Sequence, residues 1–275
     1  MRLGLSLLYV ADNLTANEVV IRVTQSFQAS AIILAAGVGR RLSASHQGPK
    51  CLLNMGGKSL LQRALEGLIA NQITDISITV GYEQAAVRAE VTRLGFDDRV
   101  SFVDNARFRE GSLVSLWTQR QRLTQGSPTI LMDADVLCDA RMIARLTVEG
   151  GENRLLLDRE IEPGDEPVKI CMRGDTIVDF RKVPDHAYDW FGESVGFFRF
   201  SAQMSALLWD RCDTYVQAGA EGEVRVEYEE AIRDLILAQP SRFGVVEVSD
   251  LPWTEIDFEA DVARARQDIL PELIA

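Results

Sequence analysis

The stretch AIILAAGVGRRL, from Ala31 to Leu42, is the feature that most constrains how this chain folds. Its first six residues form a short, unbroken apolar run, the pattern of a central parallel strand buried on both faces. Gly37 and Gly39 follow at once, in a loop with little side chain. A buried strand that runs directly into such a loop predicts an open α/β sheet with a ligand site at its carboxyl edge.

Strand and helix patterns alternate through the rest of the first half of the chain. DISITV, VSFVDN and TILMDAD have strand patterns, whereas SLLQRALEGLIANQ, EQAAVRAEVTRLG and SLVSLWTQRQRL have helical ones. Ser59 and Gln62 have capping-box spacing at the start of the first helix, and Gly95 closes the second. This alternation predicts a doubly wound, mostly parallel sheet with helices on both faces, a Rossmann-like α/β fold.

The second half of the chain has a different pattern. Between about residues 155 and 200, the strand patterns RLLLD, PVKICM, TIVDFRK and SVGFFRF follow one another with little helix between them. MRGDT has the composition of a hairpin turn, which predicts a small antiparallel subregion. Helices return at about residues 202–216 and 227–238. We therefore predict one α/β domain over residues 30–275, preceded by an extension, residues 1–29, to which we assign no function.

The charge balance narrows the kind of partner that the protein can bind. The chain has 29 Lys and Arg residues against 41 Asp and Glu residues, a formal net charge of −12. This excess of negative charge argues against a protein that coats nucleic acid or an anionic membrane. No apolar run approaches the ~20 residues of a membrane span. We therefore expect no nucleic-acid partner and no membrane insertion.

The cysteines and histidines exclude two other kinds of site. The four cysteines are far apart and form no C-x-x-C pair: Cys51, Cys138, Cys171 and Cys212. Their spacing predicts reduced thiols in a cytoplasmic protein rather than disulfides or a zinc site. With only His46 and His186 in the chain, a histidine-rich metal site is excluded.

Positive charge nevertheless collects directly after the first strand, at Arg40, Arg41, Lys50 and Lys58. Gly37 and Gly39 let backbone N–H groups approach an anion, and Arg40 and Lys50 can supply charge to a polyphosphate. The two common phosphate loops do not match. Leu42 stands where a dinucleotide-binding loop has its third glycine, and GVGRRL lacks the G-K-[ST] of a Walker loop. A glycine-bearing turn with solvated bases is the alternative.

The longer string LAAGVGRRL…PKCLLNMGGKSLL resembles the signature L-A-A-G-x-G-x-R…P-K-x-L of the nucleotidyltransferases. This superfamily includes sugar-1-phosphate nucleotidyltransferases, molybdopterin nucleotidyltransferases and cytidylyltransferases for small phospho-alcohols. The resemblance covers about Ala31 to Val262 and implies the nucleotidyltransferase fold. It also implies that Arg40 and Lys50 are catalytic. The nucleotide-binding residues that it implies in the first loop are Leu34, Ala35, Ala36, Gly37 and Gly39.

Two carboxylates stand at the end of a later apolar strand, in LMDADVL. Asp133 and Asp135 are well placed there to face a metal or a nucleotide, and alternation puts them on one face if the strand continues. The resemblance implies that Asp135 is a Mg²⁺ ligand, that Asp257 is the second ligand, and that Asp133 lies on the nucleotide side. The alternatives are a solvated surface turn for the pair and a helix N-cap for Asp257.

The segment NARFREGSLVSLW bears on the choice of nucleotide. It resembles the loop of cytidylyltransferases in which a serine contacts cytosine. On this comparison Ser112 reads the base, with Asn105 and Gly111 nearby, and the nucleotide is CTP. An N-cap at Ser112 is an alternative that is compatible with base reading.

The antiparallel subregion is predicted to carry the acceptor. Aromatic and acidic residues lie together in AYDWFGESVGFF, a combination that suits a small cation. The predicted acceptor-binding residues are Lys169, Tyr188, Asp189, Trp190, Glu193 and Trp253. Lys169 would contact the phosphate of a small anionic acceptor, and the other five would surround its cationic group. The alternative is that the aromatic side chains are core residues.

Together these features predict a Mg²⁺-dependent cytidylyltransferase that joins CTP to a small phospho- or phosphono-alcohol and releases pyrophosphate. The acceptor oxygen is already ionised at neutral pH, so the reaction needs no general base. Phosphocholine, phosphoethanolamine and 2-aminoethylphosphonate are the acceptor types considered. A sugar- or inositol-phosphate nucleotidyltransferase and a non-catalytic nucleotide-binding regulatory domain are the alternatives, and a homodimer is left open.

Overall fold

A computed structural model describes residues 28–42, 48–148, 151–160, 167–219 and 225–273. The predicted N-terminal extension lies outside these ranges except for its last two residues. The strands are β1 (Ser30–Ala35), β2 (Asn54–Met55), β3 (Lys58–Ser59), β4 (Asp75–Val80), β5 (Val100–Asp104), β6 (Thr129–Asp133), β7 (Val136–Cys138), β8 (Asn153–Asp158), β9 (Lys169–Arg173), β10 (Thr176–Arg181), β11 (Trp190–Phe200), β12 (Phe243–Glu247) and β13 (Trp253–Glu255).

The α-helices are α1 (Leu60–Ala70), α2 (Gln84–Leu94), α3 (Ser112–Trp117), α4 (Arg120–Thr124), α5 (Arg141–Val148), α6 (Ala202–Ala218), α7 (Tyr228–Ala238) and α8 (Glu259–Arg264). Short 3₁₀ turns lie at Arg40–Leu42, Lys50–Leu52, Pro240–Arg242 and Leu270–Glu272, and a π-helical turn follows α8 at Ala265–Ile269. None of the helices in the described ranges is long and apolar enough to cross a membrane.

The main sheet has nine strands and joins a parallel part to an antiparallel part. Strands β5, β4, β1 and β6 lie side by side and run parallel. The long strand β11 continues the sheet antiparallel to β6, and it also pairs antiparallel with β8 and β9. β9 and β10 form the predicted hairpin, and β12 pairs parallel with β8. The predicted α/β fold with an antiparallel subregion is confirmed.

Helices cover both faces of this sheet because successive side chains of β1 point to opposite sides. Ile33 belongs to a core cluster that includes buried residues of α1, α2 and α5. Ile32, its neighbour, belongs to a second cluster with α3, α6 and α7. Both isoleucines are fully buried. The doubly wound arrangement therefore follows from the unbroken apolar run with which β1 begins.

The predicted helix over SLVSLWTQRQRL is two helices, because the chain turns at Thr118 and Gln119 between α3 and α4. The side chain of Gln119 is buried and faces the sheet. Its Oε1 accepts from Ser77 Oγ at 2.8 Å, and its Nε2 donates to Thr79 Oγ1 at 2.8 Å. A buried amide must satisfy its hydrogen bonds, and these two bonds fix Gln119 at the break.

Two predicted helix ends are confirmed in the structure. Ser59 caps α1, since its side chain accepts from the backbone N–H of Gln62 at 3.0 Å. The side chain of Gln62 does not complete the box at Ser59 but donates to Glu66 at 2.8 Å. Gly95 ends α2 in the left-handed region, with φ of +72°.

Candidate active site

The chain order of the parallel strands reverses next to β1. From β1 the chain moves through β4 to β5, and it then returns to place β6 on the other side of β1. In open α/β sheets, ligands bind outside the carboxyl ends of the strands at this switch point. The loop that follows β1, residues 36–39, and the turn that follows β6, residues 134–135, both lie there.

The second glycine of the loop is required by the path of Lys50. Gly39 has φ of +61°, a conformation that side chains rarely adopt. A Cβ on Gly39 would lie 2.6 Å from Cγ of Lys50, so only glycine leaves room for the lysine stem. Gly37 is exposed, and a Cβ atom placed on it would have no neighbouring atom within 4 Å. The loop is therefore open to solvent at Gly37. Leu34, Ala35 and Ala36, which precede the loop, are largely buried.

Lys50 joins the two predicted metal ligands. Its Nζ lies 2.6 Å from Asp135 Oδ2 and 2.6 Å from Asp257 Oδ1, and it also donates to the carbonyl oxygen of Ile256 at 3.2 Å. Its side chain is 16% exposed. Burial alone would lower the pKa of Lys50, but the two carboxylates outweigh burial and raise the pKa above its usual value. The ammonium therefore stays charged at the centre of this cluster.

Asp257 reaches Asp135 through a short antiparallel pair near the end of the described chain. β13 pairs with β7, and Ile256 N–H donates to the carbonyl of Asp135 at 3.0 Å. Asp257 does not cap the helix that follows. The carboxylate of Asp261 accepts from the backbone N–H groups of Asp257 and Phe258 instead, at 2.8 and 2.6 Å. The side chain of Asp257 is thus held by basic groups rather than by the helix end.

A third carboxylate, Glu255, joins Asp135 and Asp257, and the sequence prediction missed it. One oxygen from each of the three lies within 4.8 Å of the others. Glu255 is exposed as a residue, but the surrounding protein and the charges of Asp135, Asp257 and Asp133 raise the pKa of its carboxyl group well above its usual value. Three oxygen donors match the preference of Mg²⁺ for hard ligands, so the residues present fit the implied metal.

Among the described side chains, Arg41, which follows the glycine loop, is a second basic group on this cluster. Its guanidinium lies 3.2 Å from Asp257 Oδ2 and stacks on the ring of Phe258, 5.0 Å from the ring centroid. Burial would raise the pKa of Asp257, but Lys50 and Arg41 hold it below its usual value. The side chain of Arg40, the residue chosen from the sequence, lies outside the described part. The spacing G-x-G-x-R itself falls on Arg41, and this signal could have identified it.

The predicted base-reading residues lie at the start of α3. Asn105 is buried, where its amide donates to Ser115 Oγ at 3.0 Å and its Oδ1 accepts from Arg107 N–H at 2.9 Å. Gly111, with φ of +117°, is the N-cap of α3, so the alternative of an N-cap at Ser112 is wrong.

Ser112 instead ties α3 to α7. Its hydroxyl donates to Glu227 Oε2 at 2.5 Å and accepts from the backbone N–H of Tyr228 at 2.9 Å. The residue predicted to read the base therefore holds the first turn of the helix that carries Tyr228 and Glu229.

A cavity of about 310 Å³ opens beside the carboxylate cluster. Among the described residues that line it, Lys182 is basic and six are acidic: Asp133, Glu193, Glu229, Glu255, Asp257 and Asp261. Burial and the charge of Asp158 raise the pKa of Glu193 to about 7. Burial, with the charges of Glu227 and Glu255, raises the pKa of Glu229 to about 8. Two of the six carboxyl groups on the cavity wall therefore have pKa values raised to near neutral pH.

Asp133, the last residue of β6, lines this cavity. Tyr228 on α7 donates its hydroxyl to Asp133 Oδ2 at 2.5 Å. On the next strand, Gly196 has φ of +79°, and a Cβ there would lie 2.4 Å from the same oxygen. Asp133 and Asp135 do not share a strand face, because β6 ends at Asp133 and the chain turns before β7.

The close approach of Gly196 to Asp133 gives a stability prediction. Alanine at Gly174, a hairpin glycine with φ of +54° and open space around it, should cost about 1–2 kcal/mol from the backbone alone. Alanine at Gly196 carries the same backbone cost and also displaces Asp133. We expect Gly196→Ala to lower the free energy of unfolding by at least twice as much as Gly174→Ala in urea titrations. Equal losses would contradict the contact.

Of the predicted acceptor-binding residues, the structure brings Glu193 to the cavity. Lys169 Nζ donates to the carbonyl of Lys182 at 2.8 Å. Trp190 lies under the guanidinium of Arg159, 4.5 Å from its ring centroid. The remaining three have contacts of their own: Tyr188 with the ring of Phe191, Asp189 with the N–H of Gly174, and Trp253 with the carboxylate of Asp158. None of these five is among the described residues that line the cavity.

The first part of the chain matches a known family profile. The sequence profile of the MobA-like NTP transferase domain matches residues 31–174, just over half of the chain. The matched range begins at β1 and contains the glycine loop, Lys50, Asp133 and Asp135. It ends at the β9–β10 turn.

Two curated relatives are similar over most of this chain. CMP-5'-(3-aminopropyl)phosphonate synthase of Streptomyces rubellomurinus is 25% identical over 245 residues, and the match covers 86% of this chain and 38% of that protein. CTP:phosphoglutamine cytidylyltransferase of Campylobacter jejuni is 23% identical over 252 residues, and the match covers 85% of this chain and 97% of that protein. The chain thus spans little more than a third of the first relative and nearly all of the second.

Solved structures share the fold at lower identity. The inositol-1-phosphate CTP transferase from T. maritima has a TM-score of 0.69 and 17% identity, covering 90% of this chain and 99% of that one. The CTP:phosphocholine cytidylyltransferase from Streptococcus pneumoniae has a TM-score of 0.67 and 20% identity, covering 87% and 98%. These similarities extend the match in fold beyond residue 174.

Proposed function

The chain belongs to the MobA-like NTP transferase family, and from this premise we propose that it transfers a cytidylyl group from CTP to a small acceptor. The acceptor carries a phosphate or a phosphonate, and pyrophosphate is the second product. The observation that carries the proposal is the cluster at the switch point of the sheet. There Lys50 contacts Asp135 and Asp257 within 2.6 Å, directly beside the glycine loop.

The reaction makes one P–O bond and breaks another. An ionised oxygen of the acceptor attacks the α-phosphorus of CTP, and the bond from that phosphorus to the oxygen it shares with the β-phosphorus breaks. Pyrophosphate leaves with the electron pair. Because the attacking oxygen is already ionised, the protein contributes by positioning two anions and stabilising their charge. Lys50 and Arg41 are the positive groups proposed for this task, and Arg40 remains a further proposal.

Mg²⁺ is the proposed cofactor, with Asp135, Asp257 and Glu255 as the residues that would hold it. When bound, it would neutralise charge on the phosphates of the nucleotide. This set keeps the two ligands expected from the sequence and adds Glu255.

The proposal places the enzyme in the cytoplasm, since all four cysteines are free thiols.

The choice of CTP rests on the relatives. Two of them are named as enzymes that make a CMP derivative or use CTP. The proposed base-reading residue is Ser112, at the start of α3 and close to the cavity through its bond to Tyr228 N–H. The other residues proposed to bind the nucleotide are Gly37, Gly39, Asn105, Gly111 and Asp133.

Pyrophosphate release tests the proposal. Each of the four NTPs is incubated with Mg²⁺ and with phosphoethanolamine, phosphocholine, 2-aminoethylphosphonate, inositol 1-phosphate or glucose 1-phosphate. We expect release with CTP and a small aminoalkyl or choline-type acceptor. Release with UTP or dTTP and a sugar phosphate would establish the sugar nucleotidyltransferase instead. Nucleotide binding without release in any combination would indicate a non-catalytic domain.

A further inference from the structure

The chemistry of the cavity wall limits which acceptors can enter it. Phosphate and phosphonate groups are anionic, yet six of the described lining residues are Asp or Glu. Asp257 and Glu255 are proposed to hold Mg²⁺, and Asp133 and Asp261 accept hydrogen bonds from Tyr228 and from backbone N–H groups. Glu229 and Glu193 are the other two acidic residues among the described lining residues, and the end of the acceptor away from its phosphorus must suit them. We infer, given the proposed cytidylyl transfer, that the acceptor carries a primary ammonium group and that Glu229 and Glu193 bind it.

Glu229 has an unmet hydrogen-bonding requirement at this wall. Its Oε2 atom is buried and has no hydrogen-bond partner within the described part of the chain. Leaving a buried polar group unsatisfied destabilises a fold, and such groups in native structures usually have a function or an absent partner. An ammonium group donates three hydrogen bonds and carries the opposite charge, so it satisfies Glu229 on both counts.

The charges around Glu229 point the same way. Burial, with the charges of Glu227 and Glu255, raises the pKa of Glu229 to about 8, although a backbone hydrogen bond and the charge of Lys182 lower it in part. Glu193, on β11, has its pKa raised to about 7 for the same main reason, burial. Both groups would ionise fully once a cation lies against them, because an opposite charge at short range favours the charged form.

A primary ammonium fits this wall better than a quaternary one. A quaternary ammonium has no N–H group and is held by the faces of aromatic rings. The aromatic residues among the described lining residues are Tyr228 and Phe258. The hydroxyl of Tyr228 donates to Asp133, and its ring packs edge-on against Phe198. The guanidinium of Arg41 lies over the ring of Phe258. The wall offers acceptor oxygens rather than an aromatic cage.

Three acceptors of one skeleton separate the possibilities. Phosphoethanolamine has a primary ammonium, phosphocholine has a quaternary ammonium, and ethyl phosphate has the same two-carbon chain without an ammonium group. With CTP and Mg²⁺ held at saturation, we expect kcat/KM for phosphoethanolamine to exceed the other two by about tenfold or more. If phosphocholine or ethyl phosphate is as good a substrate, the ammonium inference is wrong while cytidylyl transfer stands.

Glu229→Gln tests the residue itself, because glutamine keeps the shape and removes the charge. The variant should raise KM for phosphoethanolamine about tenfold and leave KM for CTP and for ethyl phosphate unchanged. Glu230→Gln is the matched control, since Glu230 is the next residue of α7 and pairs with Arg181 at 3.0 Å. An equal rise in KM for both acceptors, or in both variants, would overturn the assignment of Glu229. Absence of turnover with all three acceptors and with the wider set would reject cytidylyl transfer, and the inference with it.

Discussion

Replacing Lys50 with alanine should lower kcat/KM for CTP about 10²–10³-fold, the loss typical when one preorganised hydrogen-bond donor to a transition state is removed. Lys50 is the buried cation of the site: its side chain is 16% exposed and contacts two carboxylates at 2.6 Å. Its raised pKa keeps it charged throughout the pH range in which the enzyme can be assayed. Steady-state pyrophosphate release measures the loss.

Lys58→Ala is the matched control for this experiment. Lys58 lies on β3, in the same basic stretch of sequence, but its side chain is 43% exposed and pairs with Glu66 at 2.8 Å. An exposed pair of this kind contributes about 0–1 kcal/mol to stability, so the variant should keep its activity. Equal losses in the two variants would mean that the phosphate-binding loop has been misplaced.

A second outcome would change the role of Lys50 rather than its importance. If Lys50 only neutralises Asp135 and Asp257, a higher Mg²⁺ concentration should restore the alanine variant, because a divalent ion can neutralise the same carboxylates. If Lys50 acts on the phosphates, activity should stay low at every Mg²⁺ concentration. We expect the second result, and a Mg²⁺ titration of the variant distinguishes the two. Thermal melting of the variant shows whether the fold is intact.

The fold could be predicted because its signals are local. Apolar alternation in DISITV, the unbroken run of β1 and the glycine that ends α2 each depend on a few neighbouring residues. The break between α3 and α4 could not be predicted in this way. It depends on the side chain of Gln119, whose partners Ser77 and Thr79 lie about 40 residues earlier in the chain.

The site could be predicted only where a motif marks it. The resemblance to the nucleotidyltransferases predicts Lys50, Asp135 and Asp257, and the structure brings these three residues together. Glu255 and Tyr228 have no motif. Glu255 joins the cluster because β13 pairs with β7, and Tyr228 reaches Asp133 across 95 residues because α7 packs against β10 of the same sheet. Contacts of this kind come from topology, which residue patterns do not encode directly.

The predicted acceptor-binding group around Trp190 is inferred from local composition, and the alternation of side chains along a strand could have corrected it. Trp190 and Glu193 are predicted to bind the same acceptor because they are close in sequence. Both lie on β11, where Trp190 is opposite Met172 and Glu193 is opposite Lys169 without a bulge between them. Residues three apart on a strand point to opposite faces. A strand assignment that began at Trp190 would therefore have separated the two.

Removing the metal should have the largest effect of all. In excess chelator we expect no detectable turnover, with activity restored by Mg²⁺. The physical reason is the charge of the site. Asp135, Glu255 and Asp257 together carry more negative charge, when ionised, than Lys50 and Arg41 can balance. A triphosphate is repelled by such a cluster unless a divalent cation reverses the balance.

Asp257→Asn tests the same charge argument from the protein side. The substitution removes one negative charge but keeps a side chain of the same shape, so we expect kcat to fall about 10²-fold or more. The Mg²⁺ concentration for half-maximal activity should rise, and calorimetric titration with Mg²⁺ alone should show weaker binding. Asp250→Asn is the control, because Asp250 is an exposed carboxylate that pairs with Arg145 away from the cluster. Full activity in chelator, or unchanged Mg²⁺ binding in Asp257→Asn, would show that these carboxylates serve Lys50 and Arg41 alone.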